Sequence, residues 1–503
     1  MSNHNAAERL LRPNLVGDRA ERVAFIDRDG AHTYTDVASD AARFANRLRE
    51  SGLRPGERIL LAMTDTAAFP VCFLGAMQAG VVPVPLNTLL TANDYSFIVN
   101  DSEARAIVAS PHLTSLMPQT TTLLRICTEG GIDGWRNLAA ELERLADDII
   151  AEQNSAADVA FWLYTSGTTG QPKGVMHTHA SPLATAEHYG RGVLGLTGDD
   201  VVYSAAKLFF AYGLGNSLTI PMSVGATVVL VDTPPTPEGV RAVFEQHRPT
   251  MFFGVPTLYS MLLNTGNLPP ADHRIRTCVS AGEALPEAIF DRWHDATGLD
   301  ILDGIGSTEM LHIYMSNRTG NVQPGTSGTP VSGYEVALVD DAGTRIEATG
   351  EIGDLYVSGP SLTAGYWNRT QLNEQTFDGE WMHTGDKYLR TAAGAYEYCG
   401  RSDDLLKVGG IYVSPMEVEN ALLAHDGVAQ AAVVGHPDDD QLIKPRAFVV
   451  AAEGWKAGPE MESALIEHVT AELAPYKRPR WVTFVDDLPK TATGKIQRFK
   501  LRT

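Results

Sequence analysis

Cysteine is scarce, with four in 503 residues. Cys72, Cys127, Cys278 and Cys399 stand far apart and form no CxxC pair. That spacing excludes a disulfide framework or a thiolate metal cluster and points to a reducing compartment. Positive charge is short as well: 40 Lys and Arg face 61 Asp and Glu, a net charge of -21. Such a surface repels nucleic acid and anionic membranes, so an anionic substrate would need its cations concentrated locally. Long apolar runs are missing too. The longest, Val71 to Leu86, contains Gln78, Pro83 and Pro85 and is too short to span a bilayer. Met1 to Glu8 lacks the basic and apolar regions of a secretion signal, and the expectation is a cytoplasmic protein. No internal repeat or low-complexity tract is present, and 20% charged residues is ordinary globular composition.

What the chain does have is a dense Gly/Ser/Thr stretch, Tyr164-Thr165-Ser166-Gly167-Thr168-Thr169-Gly170-Gln171-Pro172-Lys173-Gly174, directly after the apolar run Val159 to Leu163. Glycines let backbone N–H groups converge on one anion, hydroxyls add donors, and Lys173 adds a mobile positive charge. A Walker A loop is excluded, because Lys173 follows Pro172 and precedes Gly174 rather than sitting in Gly-Lys-Ser/Thr.

Strand and helix patterns alternate along the first part of the chain. Thr35 can cap a helix that puts Val37, Ala41, Phe44 and Leu48 on one face, and Gly52 ends it. Runs at 58–63, 81–85, 106–108, 161–163 and 227–231 read as strands, with a helix over 67–80. This predicts α/β layers with largely parallel sheets. From about 328 to 400, short runs between Gly- and Asp-rich turns predict a smaller antiparallel or barrel-like sheet. A boundary near 400–404 divides the chain into units 1–402 and 403–503. The second is an α+β unit opened by the capping box Ser414-Pro415-Met416-Glu417. Its tail holds eight Lys/Arg between Tyr476 and Arg502, at 477, 478, 480, 490, 495, 498, 500 and 502. A solvated face is one reading of that run; a loop carrying Lys495 to an anionic ligand is the other.

At this point the sequence resembles the AMP-forming acyl-CoA synthetase superfamily. The segments that carry the resemblance are Tyr164–Gly174, Ala281–Leu285, Gly306–Glu309, His383–Asp386, Gly400–Asp404 and Pro489–Lys495, in that order. The resemblance implies a large adenylation domain and a small mobile domain. It also implies ATP, Mg²⁺ and coenzyme A as ligands, and an acid activated as acyl-adenylate before thioester formation. For ATP it implies Thr165, Ser166, Gly167, Thr168, Thr169, Lys173, Ala281, Gly282, Glu283, Asp303, Gly304, Ile305, Gly306, Ser307, Thr308, Asp386, Arg401 and Lys495. Thr165 and Glu309 would meet the metal; Lys495 and Glu309 would be catalytic. Asp403 matches the hinge, and Lys407, Gly409 and Gly410 the thioester step. The Lys495 loop resembles members controlled by acetylation, which implies a lysine acetyltransferase and deacetylase as partners of a monomer or homodimer. Ile305 departs from the pattern, which usually has an aromatic there.

The segments Lys207–Gly215 and Ser307–Ile313 most resemble bacterial benzoate-type CoA ligases, and imply an acid pocket of Phe210, Ala211, Tyr212, Gly306, His312 and Ile313. Such walls suit a flat apolar acid, benzoate or 4-hydroxybenzoate. Residue by residue, blander readings stand beside these: Glu309 at a helix N-terminus, Asp386 in a turn, Arg401 in a surface ion pair, His312 in packing. His177 and His179 lack a third metal ligand and read as structural. Medium-chain fatty acids remain open as substrates. So do an amino-acid-activating enzyme, though no acidic residue lies in 207–215, a luciferase-like oxidase, and a non-catalytic binding protein.

Overall fold

Parallel pairing forms the centre of the structure. The computed structural model describes residues 3–118, 123–166, 172–401, 406–408, 411–438, 442–490 and 496–502. A nine-stranded sheet runs through Thr329–Pro330, Ile313–Ser316, Ile301–Gly306, Thr277–Ser280, Met251–Gly254, Val201–Ser204, Thr227–Val229, Val23–Asp27 and Gly30–Thr33. Pairing is parallel from Ile301–Gly306 to Val23–Asp27, and antiparallel strands close either edge. A second sheet, Val82–Pro85, Arg58–Ala62, Ala106–Ala109, Leu124–Cys127 and Arg136–Asn137, is parallel throughout. Helices cover such sheets on both faces, which is why Ile59-Leu60-Leu61 reads as an unbroken apolar run and is buried.

Two local expectations change. The helix expected after Thr35 is Tyr34–Glu50 and is capped by Thr33. The Thr33 hydroxyl accepts the Asp36 N–H while the Asp36 carboxylate accepts the Thr33 N–H, a closed box that Thr35 does not make. Thr35 donates instead to the Ala20 carbonyl. Val37, Ala41, Phe44 and Leu48 are buried as the spacing predicts. The run 161–163, expected within the parallel alternation, belongs to Val159–Ser166, which pairs antiparallel with Pro172–Thr178 in a separate two-stranded hairpin. A few connecting residues can join antiparallel neighbours, whereas a parallel partner needs a long crossover.

The stretch from 335 to 401 forms an all-antiparallel sheet of Glu335–Val339, Ile352–Ser358, Trp381–Arg390, Phe377–Asp378 and Tyr396–Arg401. Beyond it, Val428–Pro437, Ile443–Ala451 and Trp481–Phe484 make a three-stranded sheet. Helices Pro415–Leu423 and Pro459–Glu472 pack onto it through Val418, Leu422, Leu465 and Val469. Ser414 caps the first of these helices, but the box is only half made, since the Glu417 carboxylate pairs with Lys477. Arg498 pairs with Glu419 and Lys490 with Asp487, so part of the basic run is neutralised inside this unit. All four cysteines are buried and unbonded. No helix among the described residues is long and apolar enough to cross a membrane.

Candidate functional site

The sequence-predicted site residues lie largely beyond the carboxyl ends of neighbouring parallel strands, the usual binding edge of an open α/β sheet. Val201–Ser204 leads into 207–215, Thr277–Ser280 into Ala281, Gly282 and Glu283, and Ile301–Gly306 carries Asp303, Gly304, Ile305 and Gly306. Asp303 is buried, which pushes its carboxyl well above the ordinary aspartate range. Its Oδ2 accepts the Leu285 N–H, while Oδ1 has no hydrogen-bond partner of good geometry among the described residues.

The hairpin brings the expected phosphate residues to this edge. Thr165 sits opposite Lys173, and Ser166 opposite Pro172, so both ends of the expected loop are paired strand. Gly167, Thr168 and Thr169 lie outside the described residues. Lys173 Nζ lies 3.6 Å from Glu309 Oε1, with side chains only 18% and 14% exposed. It also stands 3.9 Å above the Tyr366 ring. Burial pulls the Lys173 ammonium below the ordinary lysine range; attraction to Glu309 opposes that shift, and Arg401 adds to it. Tyr366 donates its hydroxyl to Glu309 Oε1 at 2.8 Å.

Glu309 belongs to a turn between two strands, not to a helix N-terminus. The turn leaves Ile301–Gly306 and re-enters as Ile313–Ser316, and Ser307 Oγ accepts the Met310 N–H at 3.2 Å. Leu311 closes it at φ +64, a conformation costly for a branched side chain. His177 is fully buried, and burial pushes it down to about 4, so it is neutral. Its Nε2–H donates to the Thr308 carbonyl at 2.8 Å. One strand face, Lys173 and His177, thus holds the turn on both sides of the Thr308–Glu309 peptide. His179 Nδ1 accepts the Ala6 N–H at 3.0 Å.

Asp386 and Arg401 are opposed on adjacent strands. Arg401 Nη1 donates to Asp386 Oδ1 and to the Thr384 carbonyl, each at 3.1 Å. Tyr314, buried with no hydroxyl partner among the described residues, feels the charges of Asp386, Glu309 and Arg401 together.

Of the expected pocket residues, Tyr212, Gly306, His312 and Ile313 come together, while the Phe210 ring lies against Phe209, centroids 4.4 Å apart. Phe210 precedes the short helix Ala211–Leu214, which continues into a π-helical turn Gly215–Thr219, a widening common at functional sites. The His312 ring centroid lies 5.7 Å from that of Tyr212 and 5.1 Å from that of Tyr189. Gly306 pairs with Ile313. His312 Nε2 donates to Asn216 Oδ1 at 3.0 Å, and burial holds the ring neutral, pushed down to about 3.

Tyr366, Tyr314 and Asn216 escaped sequence reasoning. Only the doublet Tyr366-Trp367 after Gly365 carried a signal, two aromatics in a stretch otherwise rich in turn residues. Lys407 lies on the strand Leu406–Val408. Asp403, Gly409, Gly410 and Lys495 lie outside the described residues.

Residues 15–367 match the AMP-binding enzyme family, and residues 417–495 match the AMP-binding enzyme C-terminal domain. The chain is similar to benzoate–CoA ligase of Thauera aromatica, 50% identical over 506 residues that cover 99% of this chain and 96% of that one. It is similar to the crystal structure of a benzoate CoA ligase from Burkholderia xenovorans, with a TM-score of 0.93, 49% identity and complete coverage of both chains. A crystal structure of an anthranilate CoA ligase in complex with anthranoyl-AMP also has a TM-score of 0.93, at 40% identity over 99% of this chain and 96% of that one.

Proposed function

The chain belongs to the AMP-binding enzyme family, and from that membership we propose that it converts a benzoate-type acid to its CoA thioester in the cytoplasm. The acid's carboxylate oxygen attacks the α-phosphorus of ATP, a carboxyl–phosphate bond forms, and pyrophosphate leaves. The CoA sulfur then attacks the acyl carbon, the thiol proton is lost, and AMP departs. The observation that carries this reading is the turn Gly306–Ile313. Within eight residues it presents Glu309 toward Lys173, sets His312 against Tyr212 and pairs Ile313 with Gly306. On this reading the phosphates and the ring meet at one place, and positioning of this kind is the main lever in such chemistry.

Lys173, with the hydroxyls and amides of 165–169, takes the β- and γ-phosphates. Asp386 accepts ribose hydroxyls, and Arg401 steadies it. Asp303 Oδ1 offers the exocyclic amine of adenine an acceptor that is unused among the described residues, with 281–283 and 304–308 as the surrounding wall. Mg²⁺ takes oxygen ligands and is commonly held by one carboxylate plus substrate phosphates. Glu309, already oriented by Tyr366, and the Thr165 hydroxyl fit that donor set. Among the described residues no group of three His, Cys, Asp or Glu could hold a metal, so the ion would arrive with ATP. It would supply charge neutralisation at the phosphates. The unit 403–503 swings about Asp403, exchanging Lys495 for the segment of Lys407, Gly409 and Gly410 once the adenylate has formed. Acetylation of Lys495 would then switch off the first step alone, which mass spectrometry with paired half-reaction assays can test.

The deciding experiment is AMP release, dependent on both ATP and CoA, across benzoates, hydroxybenzoates, amino acids and medium-chain fatty acids. Benzoates should lead. Preference for a fatty acid or an amino acid would sink the aryl assignment, and oxygen consumption would mark an oxidase.

Gly385 offers a sharper test of the ribose assignment. It sits at φ +73, and a Cβ there would lie 2.7 Å from Arg401 Nη2. Gly385→Ala is expected to cost about 1–2 kcal/mol in backbone strain and to raise KM for ATP severalfold by displacing Arg401. KM for the acid should stay put. Denaturant titration and steady-state kinetics read the two effects, and an unmoved ATP KM would contradict the assignment.

A further inference from the structure

A buried carboxylate outside the nucleotide site underlies the segment that presents the acid pocket. Asp65 follows the strand Arg58–Ala62 and is 3% exposed. Both of its oxygens accept the Leu208 N–H, at 3.2 and 3.3 Å. The adjacent Lys207 is largely buried; its ammonium donates to the carbonyls of Val231 and Thr233 at 2.5 and 2.7 Å and is attracted by Asp65. The Lys207 carbonyl accepts the Phe210 N–H at 3.0 Å, and the Phe210 carbonyl accepts the Leu214 N–H at 2.7 Å. A Cβ on Gly213 would lie 1.9 Å from the Lys207 oxygen, so the turn has no slack. The Asp65 loop is itself tied down, with the Thr64 N–H on Ser110 Oγ and the Ala67 N–H on Asp27. A shift at Leu208 is therefore passed to Phe210, two residues on.

One amide hydrogen bond does not call for a buried charge. A serine or asparagine would accept the Leu208 N–H without the desolvation that an ionised carboxylate suffers. The carboxylate adds a fixed attraction to Lys207, so both residues of the turn's entrance are held from one point.

We propose that Asp65 is a positioning residue for the aromatic acid: its charge, shared between the Leu208 amide and Lys207, sets the turn that presents Phe210 to the substrate ring. This rests on the reading of Phe210 as a pocket wall. Burial lifts Asp65 to about 6; Lys207 and the Leu208 amide pull it down, and Asp232 pushes it up. Tyr203 also feels its charge. Asp65 is ionised above that pH. As pH falls through about 6 it takes a proton, its hold on Lys207 and Leu208 weakens, and KM for the acid rises.

The test is AMP release by the intact enzyme with benzoate, ATP and CoA, comparing wild type with Asp65→Asn and Lys207→Met. Asp65→Asn is expected to raise KM for benzoate about tenfold at neutral pH, the scale of one lost charge-assisted contact, with KM for ATP unmoved. It should also flatten the acid-side rise in benzoate KM. Lys207→Met keeps the stem's bulk and removes the charge that favours ionised Asp65, so the pH midpoint moves upward. Equal rises in both KM values, or a lower melting temperature with benzoate KM unchanged, would overturn the proposal. Should Asp65→Asn not fold, the midpoint in Lys207→Met decides alone. A wild type inert toward benzoates would instead defeat the substrate assignment, and the same KM split would then be read on the acid it turns over fastest.

Discussion

Lys495→Ala is expected to slow adenylate formation by about 10²–10³-fold, the cost of removing one preorganised charge from a transition state. Thioester formation from supplied benzoyl-AMP and CoA should largely survive. The physical case rests on where charge builds. A carboxylate and a polyphosphate repel each other on approach, and an ammonium between the attacking oxygen and the α-phosphate offsets that repulsion only while the first bond forms. The second step has a neutral thioester forming and AMP leaving, with no carboxylate to neutralise. Arginine should not rescue the variant, because its planar fork is broader than an ammonium and demands a different geometry. Pyrophosphate exchange measures the first half-reaction, and single turnover from the adenylate measures the second. Equal losses in both would refute this division of labour.

Glu309→Gln is expected to lower adenylation by about 10²-fold, on the same electrostatic scale, and to raise the Mg²⁺ concentration needed for half-maximal exchange. Glutamine keeps an Oε1 that can accept the Tyr366 hydroxyl, so the turn should hold its shape. What disappears is the charge facing Lys173, whose ammonium is mostly buried. Leaving it less compensated costs about 1–3 kcal/mol of stability, enough to see as a lower melting temperature and too little to unfold a chain of this size. Direct binding separates the two roles. Calorimetry with Mg²⁺ and a non-hydrolysable ATP analogue should show weaker uptake in Glu309→Gln. An unchanged metal dependence would leave Glu309 as a partner of Lys173 alone.

Much of this site could be read from the sequence where function is written into local composition. The density of glycine and hydroxyl residues at 164–174 marked the hairpin as a candidate for phosphate, whereas Phe210, Tyr212, His312 and Ile313 were marked only by the resemblance to benzoate-type ligases. Periodicity likewise marked the parallel core, because buried strands such as 58–62 are continuous apolar runs. Partnership across the fold left no such mark. Tyr366 is one tyrosine in a turn-rich stretch until strand pairing sets Val175 opposite it and brings its hydroxyl to Glu309. His177 read as structural for want of a third metal ligand, and nothing near it in sequence told what it would hold; its acceptor is a backbone carbonyl 131 residues away. Thr35 and Thr33 present the same chemistry to a pattern, and only the position of Asp36 separates the cap from its neighbour. Asp65 carried no signal, since a lone aspartate after a strand usually ends it in solvent.

The Lys173–Glu309–Tyr366 contact has a bearing on biosynthesis. Its three members come from an early hairpin, a mid-chain turn and a segment laced onto the hairpin by the Ala364 and Trp367 amides. A ribosome that has released the hairpin has therefore not yet released the other residues proposed for ATP, and the Asp386–Arg401 pair is still to be made. Domains fold as they emerge, N-terminal parts first, so nucleotide can reward only chains whose distant segments have already met. ATP would then act late in maturation, stabilising finished molecules and leaving stalled or truncated ones to the proteases.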